Sequence, residues 1–441
     1  MEDLMVKAVD YAVSKGASFA EIRFHDDASL TIVSKNGEIE TVAQGLAKGF
    51  GIRVLVNGSV GFAATNVLTF DALKRAIDAA VKMARASSKL RKKPISFSEE
   101  ECVTCEWKTE MKKDFNNVAL EEKIALVNEM DKTATSQGVS LPNRFIEYSE
   151  DVTNRIYVNS EGTRIRSTVP RVSVFAILTA FDPQKGVVQR MFHVGNSGGW
   201  EHVESWNVVE LVAKEVKTMG KILAEGVAPP TDKLVDMVLG PEVVGLICHE
   251  SAGHPGEADR ILGREGAQAG ESYIELDMLG KRKIGSDIVN VVEDPTIPDS
   301  YGFYLYDDEG VKARKRYLIK NGVLHELLLN RETAAVLGVK SNGAARSCAY
   351  NREPMVRMSN TYLEPGDYTM EELLEDVKLG VFINNFMEWN IDDRRWNQRY
   401  VGLEAYLIEN GELTKPLRNP VLEAVSYTHL RAHETEADLV C

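Results

Sequence analysis

Apolar residues in the first 16 positions fall at Leu4, Met5, Ala8, Val9 and Ala12, a spacing that places them on one face of an amphipathic helix. The pattern then becomes strand-like from Ala20 to Ser34. Asn36-Gly37 marks a hairpin turn before a second short strand, Glu38 to Thr41. Two further β-like runs, Ile52 to Val56 and Val60 to Ala64, flank Asn57-Gly58, the strongest short hairpin signal in the chain. Amphipathic helices are predicted over Phe70 to Ser87 and Leu120 to Thr135, separated by a charged, poorly periodic segment, Ser88 to Asn117.

From Arg144 to Val203 the pattern returns to β, with runs at Arg155 to Asn159, Arg164 to Ser167 and Val172 to Thr179, followed by a helix from Trp206 to Leu223. The segment Glu225-Gly226-Val227-Ala228-Pro229-Pro230-Thr231 reads as a stiff linker, because Gly and paired Pro interrupt both helix and strand. Beyond it come a strand, Lys233 to Leu239, a short apolar helix opened by Pro241, and alternating strands and short helices, including Arg331 to Leu337 and Met370 to Leu379. The expected fold class is α/β of the α+β type, in two domains. Residues 1–228 form a mixed N-terminal domain, and residues 229–424 a β-rich C-terminal domain carrying that helix.

Composition narrows the class. A chain of 441 residues with 44% apolar content can bury sizeable cores, and a formal charge of −14 argues against nucleic acid or an anionic membrane as partner. No basic, apolar leader opens the chain, and its most apolar run, Val235 to Cys248, is broken by Asp236, Pro241 and Glu242. A cytoplasmic location is expected. Five sparse cysteines do not make a secreted disulfide framework. Cys102-Val103-Thr104-Cys105 has no second pair and reads as incidental.

The candidate chemistry sits at the end of the apolar helix, in His249-Glu250-Ser251-Ala252-Gly253-His254. Imidazoles can hold a metal and a carboxylate between them can act on water, but this H-E-x-x-x-H is one residue longer than the metallopeptidase H-E-x-x-H. At i and i+5 on a regular helix the two rings diverge by roughly 140°. Two routes realign them. Gly253 and Pro255 can free His254 from the helix, or a π-bulge can bring it round; the sequence does not choose. The plain alternative is an ordinary helix with a capping histidine.

The block from Gly240 onward resembles the TldD/PmbA metallopeptidases, and the similarity spans essentially the whole chain up to about Glu423. It is carried by HESAGHPGEADR (His249 to Arg260), DDEG (Asp307 to Gly310), PMVRMSNTYLEPGD (Pro354 to Asp367) and EAYLIENGELTKP (Glu404 to Pro416). The resemblance implies a TldD-type catalytic subunit in which His249 and His254 bind Zn²⁺ and Glu250 is the general base. It further implies hydrolysis of unfolded peptides, bound by strand addition, and a homodimer or a heterodimer with a non-catalytic paralogue. The competing reading is a non-catalytic peptide-binding or assembly subunit with a vestigial motif.

In such members the third zinc ligand is a cysteine in a Gly-Cys-Gly type segment near the C-terminus, and no such segment occurs here. The last 17 residues, VSYTHLRAHETEADLVC (425–441), resemble the translation of a sequencing adapter. They are expected to be non-native, so that neither His429, His433 and Glu434 nor Cys441 inherits a role. With two histidines only, weak zinc binding and little activity are expected of the chain as written. Glu257 is the best substitute ligand, ahead of Asp259 and Cys348. The duller expectations are an ion pair or cap with Arg260 or Arg264 for the two acids, and burial as a small apolar side chain for Cys348. Cys248, about 100° from His249 around the helix, is expected to face the core. Met355 to Tyr362 is a candidate cleft strand, or else an interior strand.

Overall fold

A computed structural model of the chain describes residues 1–231, 234–265 and 270–425. Its first half is built on one long sheet of seven strands: β1 (Phe19–Lys35), β2 (Glu38–Val56), β3 (Ser59–Thr65), β4 (Thr104–Lys108), β5 (Asn143–Asn159), β6 (Arg164–Asp182) and β7 (Gly186–Ser197). The spatial order is β3-β2-β1-β5-β6, with β4 and β7 on different stretches of β6; only the β4–β6 pair is parallel. Helices α1 (Glu2–Ser14), α2 (Phe70–Ser88), α3 (Leu120–Thr135), α4 (Trp200–Trp206) and α5 (Val208–Glu225) complete this half. Helices set against a mainly antiparallel sheet make the α+β arrangement that the sequence leads one to expect.

Period-2 alternation decides which face is which. Ile22, Phe24, Leu30 and Ile32 of β1, with Ile146 and Tyr148 of β5 and Val172 and Val174 of β6, point to the helix side and form two apolar cores with them. The opposite face is polar but also buried: Glu21, Arg23, His25 and Arg53 are at most 3% exposed. The second half of the chain covers it. Arg53 pairs with Glu21 and with Glu309 (2.9 and 2.6 Å), Arg155 with Asp308 (2.9 Å) and Arg331 with Glu161 (2.8 Å). Close approach is possible because β2 carries glycine here. A Cβ on Gly51 would lie 2.2 Å from the Tyr350 carbonyl oxygen.

Helices Phe70–Ser88, Leu120–Thr135 and Arg331–Leu337 lie where the spacing predicts them. Both hairpins form as expected, with Asn36, Gly37, Asn57 and Gly58 all at positive φ. Several strands are longer than the pattern suggests. Glu38 to Thr41 and Ile52 to Val56 belong to one 19-residue strand whose middle is exposed, so its alternation fades between the ends. Likewise the runs at 164–167 and 172–179 are one strand, β6. The helix expected from Trp206 to Leu223 starts instead at Val208, after Asn207 in the left-handed conformation (φ 48°), and a separate helix, Trp200–Trp206, precedes it where the β pattern is expected to run on to Val203. Leu379, expected to end a helix from Met370, instead starts the strand Leu379–Ile383, the helix closing at Glu375.

In the second half β8 (Asp236–Leu239) pairs in parallel with Leu379–Ile383, which continues antiparallel to Ala405–Glu409. Helix α6 (Pro241–Cys248) lies between two cores. Val243 and Ile247 pack with Val381, Ile383 and Ala405, while Cys248 packs with Val291, Leu318, Val356 and Met358. Clamped on both sides, the end of α6 is a firm support. Among the described residues no helix is long and apolar enough to cross a membrane. The segment Met355 to Tyr362 is two strands rather than one: Met355–Val356 pairs with Ala345–Arg346, and Thr361–Leu363 with Val291–Glu293. Residues 426–441, nearly all of the adapter-like tail with His429, His433, Glu434 and Cys441, lie outside the described residues.

Candidate metal centre

Helix α6 passes directly into a π-helical turn, His249–Gly253, whose closing bond runs from the His254 N–H to the His249 carbonyl. A five-residue closure makes i and i+5 neighbours, so the two imidazoles that a regular helix would splay apart meet on one side. Their ring centroids are 4.5 Å apart and the planes cross at 80°. His254 does not swing free of the helix, contrary to the first of the two routes: it stays helical (φ −58°, ψ −44°) and itself begins a 3₁₀ turn, His254–Gly256. Gly253 contributes through its size. A Cβ there would stand 1.8 Å from the Met358 sulfur, so only glycine lets the turn pack on that side chain.

Among the described residues, His249, Glu250 and His254 form the one group of three whose potential ligand atoms converge, all within 4.8 Å of one another. The electrostatics suit cation binding. Burial, and next the neighbouring His254, push the His249 pKa down to about 4, so at neutral pH its ring offers a lone pair. His254 is oriented from behind, its Nδ1 lying 3.2 Å from Glu257 Oε2. A carboxylate at that distance accepts the Nδ1 proton and leaves Nε2 for a metal, the arrangement that commonly backs histidine ligands.

Glu257 is fully buried. Burial alone would raise its pKa, but the His254 hydrogen bond and charge, and then Arg260 and Arg357, outweigh this and hold it below the usual carboxylate range. Arg260 Nε donates to the same oxygen at 2.5 Å. The considered substitute ligand is therefore placed as the partner of His254 and Arg260, outside the converging group. Asp259 is also turned away, accepting the backbone N–H groups of Arg260 and Val356 at 3.0 Å each.

The cysteines divide. Cys248 faces the core as expected, 1% exposed, and burial pushes its thiol up to about 12. Cys348 is exposed rather than buried, because its loop borders a cavity instead of the core. Cys102 and Cys105 are free thiols at the start of β4.

Three contributors lie far away in sequence. Arg395, at the turn between strands Phe386–Ile391 and Asn397–Gly402, donates from Nη1 to Glu250 Oε2 at 2.6 Å. It holds φ 62°, a conformation uncommon for a side chain of its size. Gln398 donates to Ser251 Oγ (2.6 Å) and Tyr273 to the Ser251 carbonyl (2.7 Å), fixing the middle of the π turn. The charged run Asp392-Asp393-Arg394-Arg395 marks a turn in the sequence, but nothing local links it to a glutamate 145 residues earlier.

Comparison with known proteins decides the family. Residues 20–84, 113–222 and 231–437 match, respectively, domain 1, the central domain and the C-terminal domain of the PmbA/TldA metallopeptidases. The chain belongs to the PmbA/TldD metallopeptidase family. A metalloprotease of Methanocaldococcus jannaschii is 33% identical over 91% of this chain and 85% of its own length. A Saccharolobus solfataricus protein named as a zinc metalloprotease TldD homolog is 28% identical over 98% and 91%. The crystal structure of TldE from Thermococcus kodakarensis superposes with a TM-score of 0.75 over 97% of this PmbA/TldD chain and 92% of that one, at 18% identity, a likeness of fold.

Proposed function

We propose that this member of the family is a zinc-dependent peptidase acting on unfolded peptides, with His249 and His254 as metal ligands and Glu250 as general base. The observation that carries the reading is the convergence of two imidazoles and a carboxylate on a π turn. Two nitrogen donors with a carboxylate alongside suit zinc's preference for N and O ligands, and the neutral His249 ring and the backed His254 ring are both ready to donate. Zinc bound there would supply Lewis acidity, lowering the pKa of a water to about 7 and polarising a peptide carbonyl.

The chain's own residues do the rest. Glu250, 5% exposed, sits where water is largely excluded, which strengthens every charge interaction around it. Its carboxylate takes the proton of the attacking water and returns it to the leaving amine. Arg395 grips one carboxylate oxygen, fixing the direction in which the other can reach. Tyr273 and Gln398 keep the turn from relaxing towards a regular helix, in which the rings would part. Extended substrates would be held mainly through backbone hydrogen bonds, which suits unfolded chains of varied sequence. A cytoplasmic location, and a dimer with a second copy or with a non-catalytic paralogue, complete the proposal; a TldE being among the similar structures is in keeping with the latter.

The test is Glu250→Gln at saturating zinc, in a full-length version that carries the C-terminal Gly-Cys-Gly type segment. Hydrolysis of an unstructured peptide should fall by at least ~10²-fold, the scale of a lost general base, while zinc and peptide binding persist. Hydrolysis that survives the change would remove Glu250 from the role. A wild-type protein that binds peptide without hydrolysing it would favour the non-catalytic subunit.

A further inference from the structure

We infer that the cavity between the polar face of the N-terminal sheet and the loop segments 304–308 and 345–358 is a subsite for a carboxylate of the peptide substrate, its C-terminus or an acidic side chain. The inference rests on the peptidase reading only for the identity of the ligand. The cavity encloses about 520 Å³, within the ~300–1,000 Å³ range of small-ligand pockets.

Strand register builds its floor. His25, Arg155, Ser167 and Trp107 stand directly opposite one another across β1, β5, β6 and β4, and Arg23, two residues before His25, points to the same side. All five line the cavity. Arg23 is 3% exposed and forms no ion pair among the described residues. Its Nη2 donates to the Arg352 carbonyl at 2.6 Å, whereas its Nη1 is buried with no partner.

Two neighbours share the deficit. His25 is fully buried; its Nε2 has no partner, and its Nδ1 lies 3.3 Å from Asp27 Oδ2. Arg155 gives Nη1 to Asp308, but its buried Nε is left over. Native proteins rarely leave such donors unmet, and a buried guanidinium that makes no ion pair bears its desolvation without a matching contact. Burial accordingly lowers the Arg23 pKa more than its acidic neighbours raise it.

Of the six arginines in the lining, Arg357 pairs with Glu265 and Arg171 lies 3.9 Å from Asp151, both beyond it, and the lining itself holds three acidic residues. Those acids are already engaged: Asp307 accepts the N–H groups of Glu309, Val311 and Ala345, Asp308 binds Arg155 and the Ser347 N–H, and Glu353 pairs with Arg264. What is missing is an anion from outside. Guanidinium groups match carboxylates in shape and charge, and apolar walls from Trp107, Ile165, Val169 and Met355 would accept the carbon skeleton of a residue beside it. A peptide substrate is favoured because the metal centre adjoins. Met358 lines the cavity and also packs on Gly253, and Arg357 lines it while lying 3.7 Å from Glu257.

The test measures binding of three labelled versions of one unstructured peptide to the metal-free full chain: free C-terminus, amidated C-terminus, and amidated with one internal glutamate. A carboxylate-bearing version should bind at least tenfold more tightly than the neutral one, and whichever does so identifies the source of the carboxylate. Arg23→Met should erase the preference. Ser167→Glu, a half-buried position opposite Arg155, should erase it too by supplying a tethered carboxylate, and it decides the matter if Arg23→Met does not fold. Equal affinity for all three peptides, no binding of any, or a preference that survives Ser167→Glu would overturn the inference. Failed hydrolysis at saturating zinc by a full-length version that carries the Gly-Cys-Gly type segment, with the preference intact, would count against the peptidase reading alone.

Discussion

Glu257 shows how much of a site is decided one side chain behind the residues that touch the metal. It was legible as an acid close to His254, but sequence distance alone does not separate a ligand from a ligand's support. The i+3 placement on a 3₁₀ turn settles this geometrically: its Oε2 meets His254 Nδ1, and Arg260 holds the same oxygen. Glu257→Gln keeps the size but loses the charge, and the amide can present its donor to His254. Zinc affinity, read by competition with a chromogenic chelator, should fall by about 10–100-fold. An unchanged affinity would mean that the His254 ring is oriented by something else. Arg395 was not legible in this way, because its contact with Glu250 closes only when a distant hairpin folds back onto the π turn.

At the scale of elements, the sequence identified the difficulty, two rings at i and i+5, and left two solutions open. The choice of a π turn reflects packing on both sides. The helix is clamped by Val243 and Ile247 on one flank and Cys248 on the other, so a swing of His254 would pull buried apolar groups out of place. Inserting one residue into the turn keeps both flanks seated. Gly253→Ala should push directly against Met358 and cost about 1–3 kcal/mol in urea unfolding, with weakened zinc binding. Adding Met358→Ala to it should restore much of the binding; no rescue would show that the glycine acts through backbone freedom rather than size. Helices and hairpin turns were readable because periodicity and Asn-Gly chemistry are local. The long strands were not, because stretches such as the exposed middle of β2 carry no alternation to read.

At the scale of the whole molecule, the first half of the chain presents a polar, buried sheet face to the second half, and ion pairs cross between them. No local pattern could reveal this, since Glu21, Arg23 and Arg53 look in sequence like ordinary solvent-facing positions of an alternating strand. Glu309 is the keystone, binding Arg53 through Oε1 and the Arg331 N–H through Oε2, both at 2.6 Å, with 1% exposure. Glu309→Ala leaves the buried Arg53 guanidinium with Glu21 alone and the buried Arg331 N–H without its acceptor, and should cost about 1–3 kcal/mol in chemical denaturation. A loss below about 1 kcal/mol would show that the two halves do not depend on this contact.

The claim on which the rest depends is that one cation sits between His249 and His254. Anomalous diffraction at the zinc edge, on crystals equilibrated with zinc, tests it without reliance on turnover. The expected result is a single strong peak about 2.0–2.1 Å from a nitrogen of each ring, beside Glu250, that vanishes in His254→Ala. A peak elsewhere, or none between the two rings at saturating zinc, would contradict it.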